Sequence, residues 1–211
     1  MKFKIICFVL IMSSFDLNSQ TVKVTPEFRK CISALDSANY THNYYIPASS
    51  FEKLVIKESN NWLVYYYASL CNVLIAFSKT GDQIDVYCDK ADKFATKADS
   101  LSRNNSEIFV VKSIIAAVRI NVSILRRGQK YSTLSTKLNE QAAIYNPQNP
   151  RVYLQKARLI LNTPVLFGGG AKKAKPIFEV AVEKYKKFVP ETIYHPNWGQ
   201  LQAISELKKI L

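Results

Sequence analysis

A sequence repeat with a period of 44 residues is the feature that most constrains the fold of this chain. An asparagine recurs at that spacing, followed four residues later by an aromatic residue and after four more by a small one: Asn61, Tyr65, Ser69; Asn105, Phe109, Ser113; Asn149, Tyr153, Ala157. The second half of the unit repeats as well: Ala91, Ala95, Ala98; Ser135, Asn139, Ala142; and, five residues early, Ala174, Phe178, Ala181. Steps of three or four residues place side chains on one face of a helix, and repeats of about 20 to 50 residues are typical of stacked helical units. The repeat therefore predicts an array of helix pairs.

Helical periodicity, together with the positions of proline and glycine, divides the chain into nine predicted helices. Their approximate bounds are 26–40, 47–58, 61–79, 82–103, 106–126, 129–145, 150–162, 171–188 and 198–210. Gly81, Gly128 and the glycines at 168–170 are predicted to fall between the two helices of a pair, where glycine often terminates a helix. No segment has the alternating pattern of a half-buried strand, so the predicted fold class is all-α.

The repeated unit resembles the tetratricopeptide repeat. The matching residues of the last unit are the aromatic and small positions of the first helix, three positions of the second helix and the closing proline of the preceding unit: Tyr153, Ala157, Ala174, Phe178, Ala181 and Pro147. The period of 44 exceeds the usual repeat of about 34 residues, which implies longer helices. The resemblance covers roughly residues 47–188 and implies a right-handed α-solenoid of stacked antiparallel pairs. The whole chain is also similar to exported tetratricopeptide-like proteins of Bacteroidetes-type bacteria.

The first 19 residues have the pattern of a secretory signal peptide. Lys2 and Lys4 precede an apolar run at 5–12, and Ser19 is a small residue at its exit. Eight apolar residues are too few to cross a bilayer, which takes roughly 20, and no later segment is long and apolar enough. We therefore predict a signal peptide at 1–19, a single helical-repeat domain at 20–211, and an exported protein that is periplasmic or secreted.

The sequence lacks the patterns of catalysis and of metal or cofactor binding. His42 and His195 have no second ligand at metal-binding spacing, and the glycines at 168–170 lack the strand and the Lys-Ser/Thr pair of a phosphate-binding loop. We predict no catalytic residues, no metal and no cofactor, and hence no enzyme. Cys71 and Cys88 fall in the two helices of one pair, where they could form a disulfide in an oxidising compartment or pack as free buried side chains.

Charge and fold both favour binding as the function. A net charge of +13 favours an acidic or anionic partner, whereas export disfavours nucleic acid. In helix-pair arrays the concave surface is the usual binding face. By resemblance to groove positions of the tetratricopeptide family, the residues expected to bind a ligand there are Tyr66, Tyr67, Val111, Ile114, Arg151, Gln155 and Arg158.

Three interpretations of this concave face stay open. The first is a scaffold or accessory subunit that binds a protein or peptide in the cell envelope, with Arg151 or Arg158 holding a carboxylate. The second is an enclosed apolar pocket for a lipid-like, anionic or other small ligand. The third is that these residues are core, covered by the helices predicted at 26–58 and 198–210. An open groove, a closed cavity or solid packing would distinguish them.

Overall fold

Nine α-helices and two short 3₁₀ turns form the part of the chain that the computed structural model describes, residues 24–211. The helices are α1 Pro26–Thr41, α2 Tyr45–Lys57, α3 Trp62–Ala76, α4 Gln83–Leu101, α5 Ser106–Arg119, α6 Ile124–Tyr145, α7 Pro150–Asn162, α8 Ala171–Lys187 and α9 Gln200–Lys208. The 3₁₀ turns are Ile120–Val122 and Val165–Phe167. The predicted all-α class is confirmed, and none of these helices is long and apolar enough to span a membrane. The predicted signal peptide lies outside the described residues.

The repeat asparagines begin the first helices of the three central pairs, α3/α4, α5/α6 and α7/α8. Each side-chain oxygen accepts a hydrogen bond from the backbone N–H two residues further on, at 3.1 Å for Asn61, 2.9 Å for Asn105 and 3.0 Å for Asn149. Such a cap satisfies an N–H that the helix leaves unpaired and stabilises the helix by about 1 kcal/mol. The period of 44 is therefore a period of helix starts.

Small residues of the repeat lie between the two helices of each pair. Ser69 of α3 donates a hydrogen bond to the carbonyl of Ala91 in α4, and Ser113 of α5 donates one to the carbonyl of Ser135 in α6, both at 2.8 Å. The repeated residues of the second helices are all buried: Ala91, Ala95, Ala98, Ser135, Asn139, Ala142, Ala174, Phe178 and Ala181. Small side chains at these positions let the paired helices approach closely.

One predicted boundary is wrong, at the link between α5 and α6. The helix predicted at 106–126 ends at Arg119, and the chain turns at Ser123, whose backbone is extended with φ −163° and ψ 97°. Gly128 consequently lies inside α6 and not between the helices. Its φ is not positive and a Cβ would meet open space, so the backbone does not require glycine at this position.

Candidate functional site

The predicted concave face is covered by the chain itself. Six of its seven residues are buried, and Arg158 is partly exposed. They belong to α3, α5 and α7, the first helices of the three central pairs, which lie side by side. The cover consists of residues 188–199, which we call the C-terminal segment, and α9. The face is therefore not an open groove.

The C-terminal segment is anchored on α3 by two tyrosine hydroxyls. Trp198 donates a hydrogen bond from its indole Nε1 to the hydroxyl of Tyr66 at 2.8 Å. Tyr67 donates a hydrogen bond from its hydroxyl to the carbonyl of Tyr194, also at 2.8 Å. The ring of Tyr194 packs edge-on against Phe28 of α1, with centroids 5.8 Å apart. The segment thus connects the last repeat unit to the first helix of the chain.

Arg151 binds the same segment from α7. Its side chain is fully buried, and its Nε and Nη2 atoms donate hydrogen bonds to the two carboxylate oxygens of Glu107 at 2.7 and 2.6 Å. Nη1 donates a third to the carbonyl of Trp198 at 3.2 Å, and the guanidinium carbon lies 4.5 Å from the centroid of the Phe188 ring. Burial by itself would lower the pKa of Arg151, but the Glu107 carboxylate outweighs burial and raises it. Arg151 is therefore a paired cation in the interior.

Arg158 has an equivalent partner in the last helix. Its Nε donates a hydrogen bond to the carboxylate of Glu206 in α9 at 2.9 Å. Both arginines that the sequence offers to a ligand carboxylate are thus paired with carboxylates of this chain. A ligand-binding role for the seven concave residues stays a prediction, and a ligand bound there would have to displace the C-terminal segment.

Cys71 and Cys88, for which the sequence left a disulfide and free packing open, are both free and buried in the structure. The thiol of Cys88 donates a weak hydrogen bond to the carbonyl of Ile115 in α5 at 3.9 Å. Burial raises the pKa of Cys88 to about 12. These thiols pack as small hydrophobic side chains.

Neither histidine lies in a metal-binding cluster, and the described residues contain no group of three or more potential metal ligands of the His, Cys, Asp and Glu types. His42 is exposed and ends α1 in a left-handed conformation, with φ 55°. His195 packs against Trp62, with ring centroids 5.7 Å apart, and its Nδ1 hydrogen-bonds the hydroxyl of Thr192 at 2.8 Å. Burial lowers the pKa of His195. Among the described residues, His195 therefore packs the C-terminal segment against α3.

An open groove of about 710 Å³ lies beside α8, outside the concave face. Its apolar walls are formed by Pro176, Val180, Phe188 and Val189, and its polar lining includes Asn146, Gln148, Glu179, Glu183, Lys184 and Lys187. The Phe188 ring that stacks on Arg151 therefore separates this groove from the buried ion pair.

The two lysines of this groove give it a cationic rim. The two glutamates of the lining are offset on the same helix, since Glu183 pairs with Lys186 at 2.5 Å and Glu179 lies 3.9 Å from Lys175. Lys184 donates a hydrogen bond to the neutral side chain of Gln148 at 2.9 Å, and Lys187 makes no ion pair within the described residues. An apolar wall with two cations at its rim suits a flat apolar molecule that has an anionic edge.

This groove is not among the sites predicted from the sequence, although the sequence contains a signal for it. Pro176, Val180 and Lys184 recur every four residues on α8, on a different face from the buried Ala174, Phe178 and Ala181. Val180 is 42 % exposed. An exposed apolar residue flanked by lysines at helical spacing is such a signal, but it becomes a groove only when the C-terminal segment packs beside it.

Two solved structures are similar to this chain over most of its length. The HusA haemophore from Porphyromonas gingivalis is 33 % identical over 87 % of this chain and 90 % of that one, with a TM-score of 0.78. A thermophilic tetratricopeptide repeat protein of Thermus thermophilus has 14 % identity over the same shares, with a TM-score of 0.57. The second likeness concerns the fold alone, and it confirms the predicted tetratricopeptide-like architecture. No protein family profile and no curated protein match the chain.

Proposed function

The chain belongs to the family of the HusA haemophore, and from this premise we propose that it is an exported, non-catalytic carrier that binds haem or a closely related tetrapyrrole. The observation that carries the proposal is the 33 % identity over 87 % of the chain. The sequence supports the non-catalytic part of the proposal, since it contains no catalytic motif. Its first 19 residues support export.

The groove beside α8 is the site that we assign to the tetrapyrrole. Its volume of about 710 Å³ falls within the range of about 300–1,000 Å³ common for small-molecule sites. A porphyrin ring is flat and apolar, and it carries two propionates on one edge. Val180 and Phe188 supply apolar contacts, and Lys184 and Lys187 supply partners for the propionates.

The lining of this groove, among the residues that the structure describes, contains no histidine, cysteine, methionine or tyrosine. We therefore expect affinity to come from apolar burial and propionate pairing, without axial coordination of the iron by these side chains. Iron-free protoporphyrin should then bind nearly as tightly as haem. A haem affinity at least a hundredfold above that of protoporphyrin would contradict this site, because it would require a ligand to iron.

The concave face is the alternative location for the same ligand. It contains the seven residues predicted from the sequence, but Tyr66, Arg151 and Arg158 are bound there to the C-terminal segment and α9. The cover also argues against a protein or peptide as the main ligand, since such a partner needs an open concave surface. The groove beside α8 needs no rearrangement.

Haemin titration of the purified protein, followed by the Soret absorbance, tests both the function and the site. Val180→Asp places a charge on the apolar wall, and the pair Lys184→Gln and Lys187→Gln removes the cationic rim. We expect each variant to weaken binding at least tenfold, a loss of about 1.4 kcal/mol. The pair Lys172→Gln and Lys173→Gln, at the other end of α8, is the matched control and should leave the affinity unchanged.

Two outcomes would contradict different parts of this proposal. Absence of saturable binding of haemin and of protoporphyrin by the wild-type protein would refute the carrier function. Saturable binding that survives all groove substitutions, but is lost in Arg158→Met, would refute the groove and assign the ligand to the concave face. Export is tested separately: the protein recovered from the periplasmic or secreted fraction should begin at Gln20.

A further inference from the structure

The turns inside the four helix pairs expose apolar side chains at one edge of the array. Because successive helices run in opposite directions, the turns α1/α2, α3/α4, α5/α6 and α7/α8 lie at the same edge, which we call the paired-turn edge. Leu125 is 99 % exposed there and Leu166 is 87 % exposed. The other large exposed apolar residues at the turns include Ile46, Phe77, Val165 and Phe167.

Contacts between neighbouring turns show that these residues belong to one surface. The ammonium of Lys79, in the α3/α4 turn, lies 5.2 Å from the ring centroid of Tyr45 at the start of α2. Arg127 near the start of α6 pairs with Asp85 near the start of α4 at 2.8 Å. The first three turns are therefore adjacent, and the packing of α7 on α5 and α6 places the fourth beside them.

Cations accompany the apolar residues at this edge. Arg126 follows Leu125, and Lys172 and Lys173 follow the α7/α8 turn; all three are exposed and form no ion pair within the described residues. The short turns 59–60, 102–104 and 146–148 at the opposite edge contain only serine, asparagine, arginine, proline and glutamine. The exposed apolar residues near that edge, such as Ile56 and Ile144, lie in the helices beside these turns. The paired-turn edge therefore combines apolar residues within its turns with unpaired cations, beside one exposed carboxylate, that of Asp82.

We propose that the paired-turn edge docks on a membrane surface rich in anionic lipid headgroups. Apolar side chains flanked by lysine and arginine are the composition of proteins that bind at the interfacial layer, where the apolar groups enter the acyl boundary and the cations bind headgroups. The apolar residues stand on separate turns, which suits a fluid interface better than a single shaped protein pocket. A second copy of this chain is disfavoured, because it would bring two cationic edges together in a protein of net charge +13.

The test is co-sedimentation of the processed protein with vesicles of phosphatidylcholine alone and of phosphatidylcholine with phosphatidylglycerol. We expect binding to the anionic vesicles only, weakening as salt is added. The triple variant Leu125→Ser, Leu166→Ser and Phe167→Ser should bind at least tenfold more weakly. The pair Arg126→Ser and Lys172→Ser should also bind about thirtyfold more weakly, since each of these cations contributes to binding near an anionic surface.

Matched controls carry the same types of substitution away from this edge. Ile56→Ser, Ile144→Ser and Leu201→Ser replace apolar residues that are also highly exposed, and Lys57→Ser with Arg103→Ser removes two exposed cations near the opposite edge. Both control variants should bind as the wild type does. Equal binding to neutral vesicles, no binding to either vesicle, or equal losses in test and control variants would overturn the proposal. So would a dimer in light scattering that the triple variant abolishes without any vesicle binding.

Discussion

Replacing Arg151 with methionine should destabilise the protein by about 3 kcal/mol. The substitution keeps an unbranched apolar side chain but removes the guanidinium, and with it both hydrogen bonds to Glu107 and the one to the carbonyl of Trp198. Removing one partner of a buried ion pair costs about 3–5 kcal/mol, because the other charge stays buried without compensation. Since the Glu107 side chain is 15 % exposed, water can partly solvate it, and we expect the lower end of that range.

Urea unfolding followed by tryptophan fluorescence measures this loss. With a slope of about 2 kcal/mol per molar urea, the midpoint should fall by about 1.5 M. Adding Glu107→Gln to Arg151→Met removes the stranded charge, so the double variant should recover part of the loss. Arg158→Met is the matched control: its pair with Glu206 is 28 % and 24 % exposed, and partly exposed ion pairs contribute about 1 kcal/mol or less.

The same experiment can refute the account of the covered concave face. A loss below about 1 kcal/mol in Arg151→Met, equal to that in Arg158→Met, would mean that the Glu107 carboxylate is solvated and that the C-terminal segment is not held on the face. Proteolysis gives a second readout, because loosening of the segment should increase cleavage between 189 and 197 in Arg151→Met more than in Arg158→Met.

Three further predictions concern single residues. Gly128→Ala should raise the free energy of unfolding by about 0.5–1 kcal/mol, since Gly128 lies inside α6 with an ordinary backbone and open space around it. The thiol of Cys88, whose pKa burial raises to about 12, should not react with a thiol reagent at about pH 8 until the protein is unfolded. Burial lowers the pKa of His195 below its unfolded value of about 6.5, so the native state binds fewer protons. The contribution of neutral His195 to the free energy of unfolding should be complete above about pH 6.5 and should be lost as the pH falls toward the folded pKa. In urea unfolding, His195→Gln should make the free energy of unfolding fall less steeply over that pH range.

Each of these has a clear contrary result. Gly128→Ala with lowered stability would place Gly128 at a helix boundary, as the sequence prediction had it. Labelling of Cys88 in the native protein at the rate of an exposed thiol would mean that α4 does not pack on α5 as described. An unchanged decline of stability with falling pH in His195→Gln would assign that decline to other groups.

The helices could be predicted closely because their signals are local. The bounds predicted for α7 match those of the structure, since Asn149 caps the helix and Pro150 suits its first turn. The α5/α6 link could not be placed from such signals. Gly128 predicts a break, whereas the chain turns at Ser123, the N-cap residue of α6, whose side chain makes no cap hydrogen bond.

The concave face could be located from the sequence, but its cover could not. Tyr66 and Arg151 are at the positions that the repeat assigns to the inner surface, yet their partner Trp198 is 132 residues away from Tyr66 and lies in a segment without helical periodicity. Only the aromatic residues of that segment, such as Tyr194 and Trp198, indicate that it packs on the array. Contacts of this range depend on the assembled array, which no local pattern encodes.

The ion pair between Glu107 and Arg151 has a consequence for how this array could change in length. The two residues are one period apart and occupy the same position of successive units, where the first unit has Leu63. Identical units could not form this pair, because like charges would then meet across a buried contact. Duplicating the 44 residues from 105 to 148 would bury a second glutamate next to the first. The order of the last two units is therefore specified by opposite charges at equivalent positions, and the array cannot be extended by copying either of these two units.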